Sequence, residues 1–178
     1  MIDMIESRAD AAINRCTAAP ARSGLKAVGL VRTELSGIDT AAHALDIQCY
    51  AQHLDYRWIY TVRPPRGTFD PVAYTLGIAT TMGASAIIVV DATHIDGRNE
   101  FVSAGFDLAT ITPPRLWRRG ASEPAVVPSA PLHDCTWEPS QLELDCAHRL
   151  WNLHRDCRPD CRARLAAGAA LSARDEVD

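Results

Sequence analysis

Short unbroken apolar runs alternate along this chain with longer stretches in which apolar residues return every three to four positions. Over 3–18, Ile5, Ala9, Ala12, Ile13 and Cys16 follow helical spacing, and Pro20 with Gly24 closes the stretch. The run 27–31 has no polar alternation, as a strand buried on both faces requires. Gly37 to Thr40 supplies capping residues for a helix over 41–54, and a second strand follows at 58–62. Pro64-Pro65-Arg66-Gly67 breaks the chain. Asp70-Pro71 reads as an N-cap followed by proline at the first helical position, predicting a helix to Met82 before Gly83. The strongest strand is 86–90, Ala-Ile-Ile-Val-Val, whose lack of a solvent-facing position places it inside the sheet. A short helical stretch at 100–104 and a strand at 107–112, stopped by Pro113-Pro114, complete the alternation.

Strand and helix taking turns, with right-handed crossovers, predict an α/β fold: a mainly parallel sheet of about four strands flanked by helices. The domain spans 25–119, after a leading helix within 1–24. Prolines 124, 128, 131 and 139 among small residues mark 120–138 as a proline-rich linker. The remainder, 139–178, carries helical periodicity over 139–155 and again over 160–174, a cysteine-containing C-terminal helical hairpin.

Composition narrows the function classes. The 178 residues are 47% hydrophobic and 22% charged with a formal net charge of −4, which disfavours polyanion binding by bulk charge. No apolar run approaches the ~20 residues of a membrane span, and the acidic N-terminus lacks the order of a secretory signal. The chain therefore reads as cytoplasmic, with no membrane partner. All but one of the 18 basic residues are arginine, Lys26 being the exception, so a lone arginine here says less about phosphate than it usually does. Six cysteines in a reducing compartment favour metal binding or plain burial over a disulfide framework.

Several strings resemble the catalytic domain of the resolvase/invertase family, the serine recombinases. Gly29-Leu30-Val31-Arg32 resembles the opening strand that ends in an arginine shortly before the nucleophilic serine. The segment from Met82 to Val90 resembles the family's glycine, small residue and apolar strand. Gly97-Arg98 falls where its second loop carries an arginine pair, and Gly105 to Pro113 resembles the next strand. The similarity covers about 26–114 and implies an α/β fold, with Arg32, Ser36 and Arg98 as the catalytic set of a DNA strand-exchange site. The departures concern the chemistry. Such a reaction needs a hydroxyl to attack a phosphodiester while arginines neutralise the developing charge, yet Glu34 stands where the family places its serine. Ser36 lies two residues later, and His94 and Ile95 replace the acid and first arginine of the second loop. The long helix and helix-turn-helix that hold DNA have no counterpart.

Three further groups offer chemistry. Asp91, His94 and Asp96, in a loop at the carboxyl end of a central strand, read either as an acid/base or metal cluster or as hydrated loop residues. Arg115, Trp117, Arg118 and Arg119 form a basic patch that either stacks a base and pairs phosphate or makes interdomain salt bridges. The tail concentrates Cys135, Cys146, His148, His154, Cys157 and Cys161. Here three outcomes stand open: a zinc ion held by His154, Cys157 and Cys161 with Cys146 or Cys135 as the fourth ligand, helix packing through small cysteines, or a disulfide. Eight residues separate Cys146 from His154, about 12 Å along a helix, which strains a shared ion.

The sequence thus points to a non-catalytic, serine-recombinase-like binding or regulatory module, with DNA or a protein as partner and a homo-oligomer open. The alternatives are an active strand-exchange enzyme with a displaced serine, and a small phosphate or nucleotide binder at the same strand ends.

Overall fold

The computed structural model describes residues 24–127, 132, 134–139 and 142–175. The helix expected within 1–24 lies outside the described residues. β1 (Lys26–Leu30) is followed by a single helical turn, α1 (Thr33–Ser36), and then α2 (Thr40–His53) and β2 (Arg57–Val62). Next come α3 (Pro71–Thr81), β3 (Ala86–Val89), α4 (Asn99–Ser103) and β4 (Asp107–Thr110). β5 (Arg115–Trp117) and β6 (Ala125–Val126) precede the tail helices α5 (Leu144–His154) and α6 (Arg162–Asp175).

The strand order is β2-β1-β3-β4-β5-β6. The first four are parallel, and β3 lies between β1 and β4, the interior position its unbroken apolar run requires. The sheet is nevertheless mixed and six-stranded, where a mainly parallel sheet of about four strands was expected. After β4, the turn containing Pro113 and Pro114 sends the chain straight back, so β5 pairs antiparallel with β4, and β6 antiparallel with β5. No helix intervenes, and two strands of three and two residues leave almost no periodicity to read.

Alternate residues of the central strands enter different cores. Ala27, Ala86, Ile88 and Ala109 face α2, where Ala44, Ile47, Tyr50 and Ala51 meet them. Val28, Leu30, Ile87, Val89 and Leu108 face the other side, closed by Val72 and Ala79 of α3 and Val102 of α4. Gly29 is what lets α2 lie so close: a Cβ there would sit 2.6 Å from Ile47 Cγ2 and 2.8 Å from Thr61 Oγ1. Asp70 caps α3 through Val72 N–H at 3.1 Å and Ala73 N–H at 2.9 Å, with Pro71 opening the helix as its position predicts.

The tail is a helical hairpin resting on α2. Cys49, Cys146, Leu150, Cys161, Ala163 and Ala167 form a third core with Leu132. Arg149 bridges Asp46 at 3.0 Å, and Gln48 Nε2 donates to Glu143 Oε2 at 2.6 Å. α5 starts at Leu144, later than the Pro139 start expected. No helix among the described residues is long and apolar enough to cross a membrane.

Candidate functional site

β2 and β3 flank β1 on opposite sides, so the chain crosses over in opposite directions from β1, and the carboxyl ends of β1 and β3 form the switch point of the sheet. The segment after β1 brings Arg32 and Ser36 to these strand ends, and the loop after β3 brings Asp91, His94, Asp96 and Arg98. The arginines do not face open solution. Arg32 Nη1 lies 2.5 Å from Asp96 and its Nε 2.8 Å from Glu34. Arg98 holds Asp70 through both nitrogens, at 3.0 and 2.5 Å, lies 4.0 Å from Asp96, and stacks over Phe101. Thus Glu34 binds Arg32, and this pairing draws its carboxyl below the ordinary range.

Ser36 is 6% exposed and sits between two imidazoles. Its Oγ is 3.1 Å from His94 Nε2 and 2.9 Å from His43 Nδ1 of α2. His94 is 2% exposed, and its other ring nitrogen, Nδ1, faces Asp91 Oδ1 at 3.3 Å. The Asp91 carboxylate is itself fixed by Thr93, accepting its N–H at 2.8 Å and also its hydroxyl. Burial lowers the His94 pKa from its ordinary value, against the opposing pull of Asp91. For Asp91, partial burial works upward but is outweighed by the Thr93 and His94 hydrogen bonds, so it remains an anion. The pattern of residue types in the loop flagged Asp91 and His94. His43 carried no signal, because a histidine on a helix between alanines reads as an ordinary surface position.

The basic patch dissolves as a stacking platform. Trp117 is only 6% exposed and packs inside the core shared with Val102 and Leu108, while Arg118 reaches Asp107 at 3.4 Å.

In the tail, Cys135, His154, Cys157 and Cys161 bring one ligand atom each within 4.8 Å of one another, a group that could hold a metal ion. His154 Nδ1 lies 3.6 Å from Cys135 Sγ, 3.5 Å from Cys157 Sγ and 3.4 Å from Cys161 Sγ. The Cys135 and Cys157 sulfurs are 3.6 Å apart. His154 Nε2–H donates to the Leu132 carbonyl at 2.8 Å, which fixes the tautomer and leaves Nδ1 free to coordinate. Among bare thiols, the hydrogen bonds of Cys157 and Cys161 push Cys135 up to about 11. A cation reverses that order.

The fourth corner is therefore Cys135 and not Cys146. α5 is continuous through His154, so Cys146 stays two turns away, fully buried against Cys49 of α2, whose thiol pKa that contact and burial raise. Cys135 arrives from the segment read as linker, which Arg162 N–H anchors by donating to the Cys135 carbonyl at 2.9 Å. Arg164 ties the turn between α5 and α6 by donating to the carbonyls of Arg155 and Cys157.

Comparison of the chain with protein-family models, with curated proteins and with solved structures finds no match.

Proposed function

We propose that this chain is a serine-recombinase-like binding module that does not carry out strand exchange, with a protein as partner and a zinc ion closing its C-terminal hairpin onto the segment that bears Cys135. The inward pairing of Arg32 and Arg98 carries this reading. A phosphodiester would have to displace Asp96, Glu34 and Asp70 from charge-assisted hydrogen bonds, and it would meet those carboxylates as it entered. The same repulsion weighs against a phosphate or nucleotide ligand at the strand ends. The buried Trp117 and the net charge of −4 favour a protein partner over nucleic acid.

Zinc fits the Cys3His group by size and softness. With Zn–S near 2.3 Å and Zn–N near 2.05 Å, tetrahedral geometry requires S to S edges of about 3.8 Å and S to N edges of about 3.6 Å. The separations of 3.4 to 3.6 Å lie within a few tenths of these values. All four positions being protein ligands, the ion would be structural, holding the hairpin closed.

Mobility shifts on duplex and single-stranded DNA over a range of salt, alongside suicide substrates that trap protein-DNA adducts, test the reading. No adduct and no salt-resistant retention are expected. A covalent adduct that disappears in Ser36→Ala would install the strand-exchange enzyme instead, and sequence-selective retention would make DNA the partner.

A further inference from the structure

The Ser36 cluster goes beyond a binding role, and its chemistry depends on neither the tail nor the partner. One hydroxyl between two imidazoles has one proton to give, and the geometry decides where it goes. Asp91 at 3.3 Å holds a proton on His94 Nδ1, leaving Nε2 with a lone pair that accepts from Ser36 Oγ–H at 3.1 Å. His43 Nδ1 at 2.9 Å then donates to the same oxygen. Nucleophile, base and orienting carboxylate thus come from the ends of β1 and β3 and stand in the serial order of a hydrolytic triad, with the His43 N–H fixing the serine oxygen from the other side.

We propose that Ser36 is an activated nucleophile toward neutral carboxylic esters, with His94 as general base and Asp91 as the residue that positions it. The serine oxygen forms a bond to the carbonyl carbon while its proton passes to His94 Nε2. The bond to the leaving alkoxy oxygen then breaks as His94 returns that proton to it, freeing the alcohol and leaving an acyl-Ser36 ester. Water attacks this ester by the same proton route, releasing the carboxylic acid and restoring the serine.

The surroundings choose the substrate class. Glu34, Asp91 and Asp96 stand around the serine with Arg32 and Arg98, and Glu34, Asp96 and Asp70 already hold both guanidinium groups, so an anionic phosphodiester would have to displace a carboxylate while a neutral ester would not. Leu35 and Ile38 flank the serine at 47% and 99% exposure and offer apolar contact to an acyl chain. The groups facing His94 are Asp91 on its own turn, His43 from α2 and Arg32 from the segment after β1. With burial depressing the imidazolium, His94 stays a neutral base at pH 7.

An alkyl fluorophosphonate, whose neutral phosphorus loses fluoride to an activated serine, tests this on the full-length protein. Intact-mass and peptide analysis are expected to find one adduct, on Ser36, absent in Ser36→Ala. His94→Gln is expected to slow labelling by about 100-fold or more, the loss that follows removal of a general base. Asp91→Asn, at a partly exposed position that leaves the core intact, is expected to slow labelling at least about tenfold and to alter its pH profile. In the wild type the rate should hold from pH 8 down to about 6.5 and fall below that, as His94 takes up its proton. Absence of a Ser36 adduct on folded wild-type protein overturns the proposal. So does labelling whose rate and pH profile are the same in Asp91→Asn as in the wild type.

Discussion

Arg98 grips Asp70 with both arms of its guanidinium, Nη1 to Oδ2 at 3.0 Å and Nη2 to Oδ1 at 2.5 Å. The same carboxylate caps α3, so one acid ties the loop after β3 to the start of a helix 28 residues earlier in the chain. Arg98, then the helix-capping N–H groups, hold the Asp70 carboxyl well below the usual carboxylate range. With the folded value below the unfolded one, the stabilisation is complete above the unfolded pKa of about 3.9 and is lost as the pH falls through the folded value. The pair therefore contributes equally at pH 5 and pH 8. Asp70→Asn keeps the cap and loses the ion pair, whereas Asp70→Ala loses both. Thermal melts at pH 7 are expected to rank wild type above Asn above Ala, with the gap between wild type and Asn shrinking in 1 M salt as screening increases.

The histidines give a pH dependence of the same direction, beginning at a higher pH. Burial lowers the pKa of both His94 and His53. The unfolded chain then binds more protons than the folded one between the folded value and about 6.5, so stability is full above 6.5 and declines as the pH falls through that window. Each such histidine can supply at most about 1.4 kcal/mol per pH unit. Denaturant titrations at pH 7.5 and 5.5 should show the loss, and His53→Gln should reduce the difference between them.

How much of this was legible in the sequence follows from how local each feature is. The β3 run and the Asp70-Pro71 cap are written in consecutive residues, and both stand where their pattern puts them. β5 and β6 escaped because five residues cannot show a period, and Trp117 looked like a surface aromatic because only its antiparallel pairing with Leu108 carries it into the core. The tail shows the same division. His154, Cys157 and Cys161 fall within one turn and its flanks, so their convergence follows from spacing. Cys135 reaches them from a segment without periodicity, where Arg162 N–H and the Leu132 carbonyl set its path. The sole sequence signal was negative: Cys146 lay too far along a continuous helix to share an ion with His154.

Gly29 is the point at which the α2 packing distance can be tested. A methyl group there would stand 2.6 Å from Ile47 Cγ2 and 2.8 Å from Thr61 Oγ1, and the Thr61 oxygen is already held by Trp58 Nε1 at 3.1 Å. Neither neighbour can give way without disturbing a buried helix or a side-chain hydrogen bond. Gly29→Ala is expected to destabilise the domain by about 1–3 kcal/mol, the usual cost of overpacking a filled core. Chemical denaturation with an unchanged slope and a lowered midpoint would report it, while an unaltered midpoint would mean that α2 sits farther from the sheet.

The tail separates two cysteines that composition alone treats alike. Cys135 is exposed but contributes a ligand atom to the Cys3His group, whereas Cys146 is fully buried and contributes only to packing against Cys49 and Leu150. Protein purified without chelator is expected to hold about one zinc ion per chain. Cys135→Ser and Cys161→Ser should abolish stoichiometric zinc, because a neutral hydroxyl is a poor substitute for thiolate at a tetrahedral site. Cys146→Ser should retain the metal while lowering the melting temperature, since it buries a hydroxyl in a small apolar cluster at a cost of about 1–3 kcal/mol. Metal binding draws its free energy from the same closure that docks the hairpin, so a strong chelator should expose α5 and α6 to protease and reduce the helical circular dichroism. The β-sheet domain, whose two cores lie on either side of the strands and do not include the metal group, should still melt cooperatively. Zinc lost in Cys146→Ser but kept in Cys135→Ser would reassign the fourth ligand, and a chelator-insensitive hairpin in a zinc-free protein would leave these sulfurs a packing role alone.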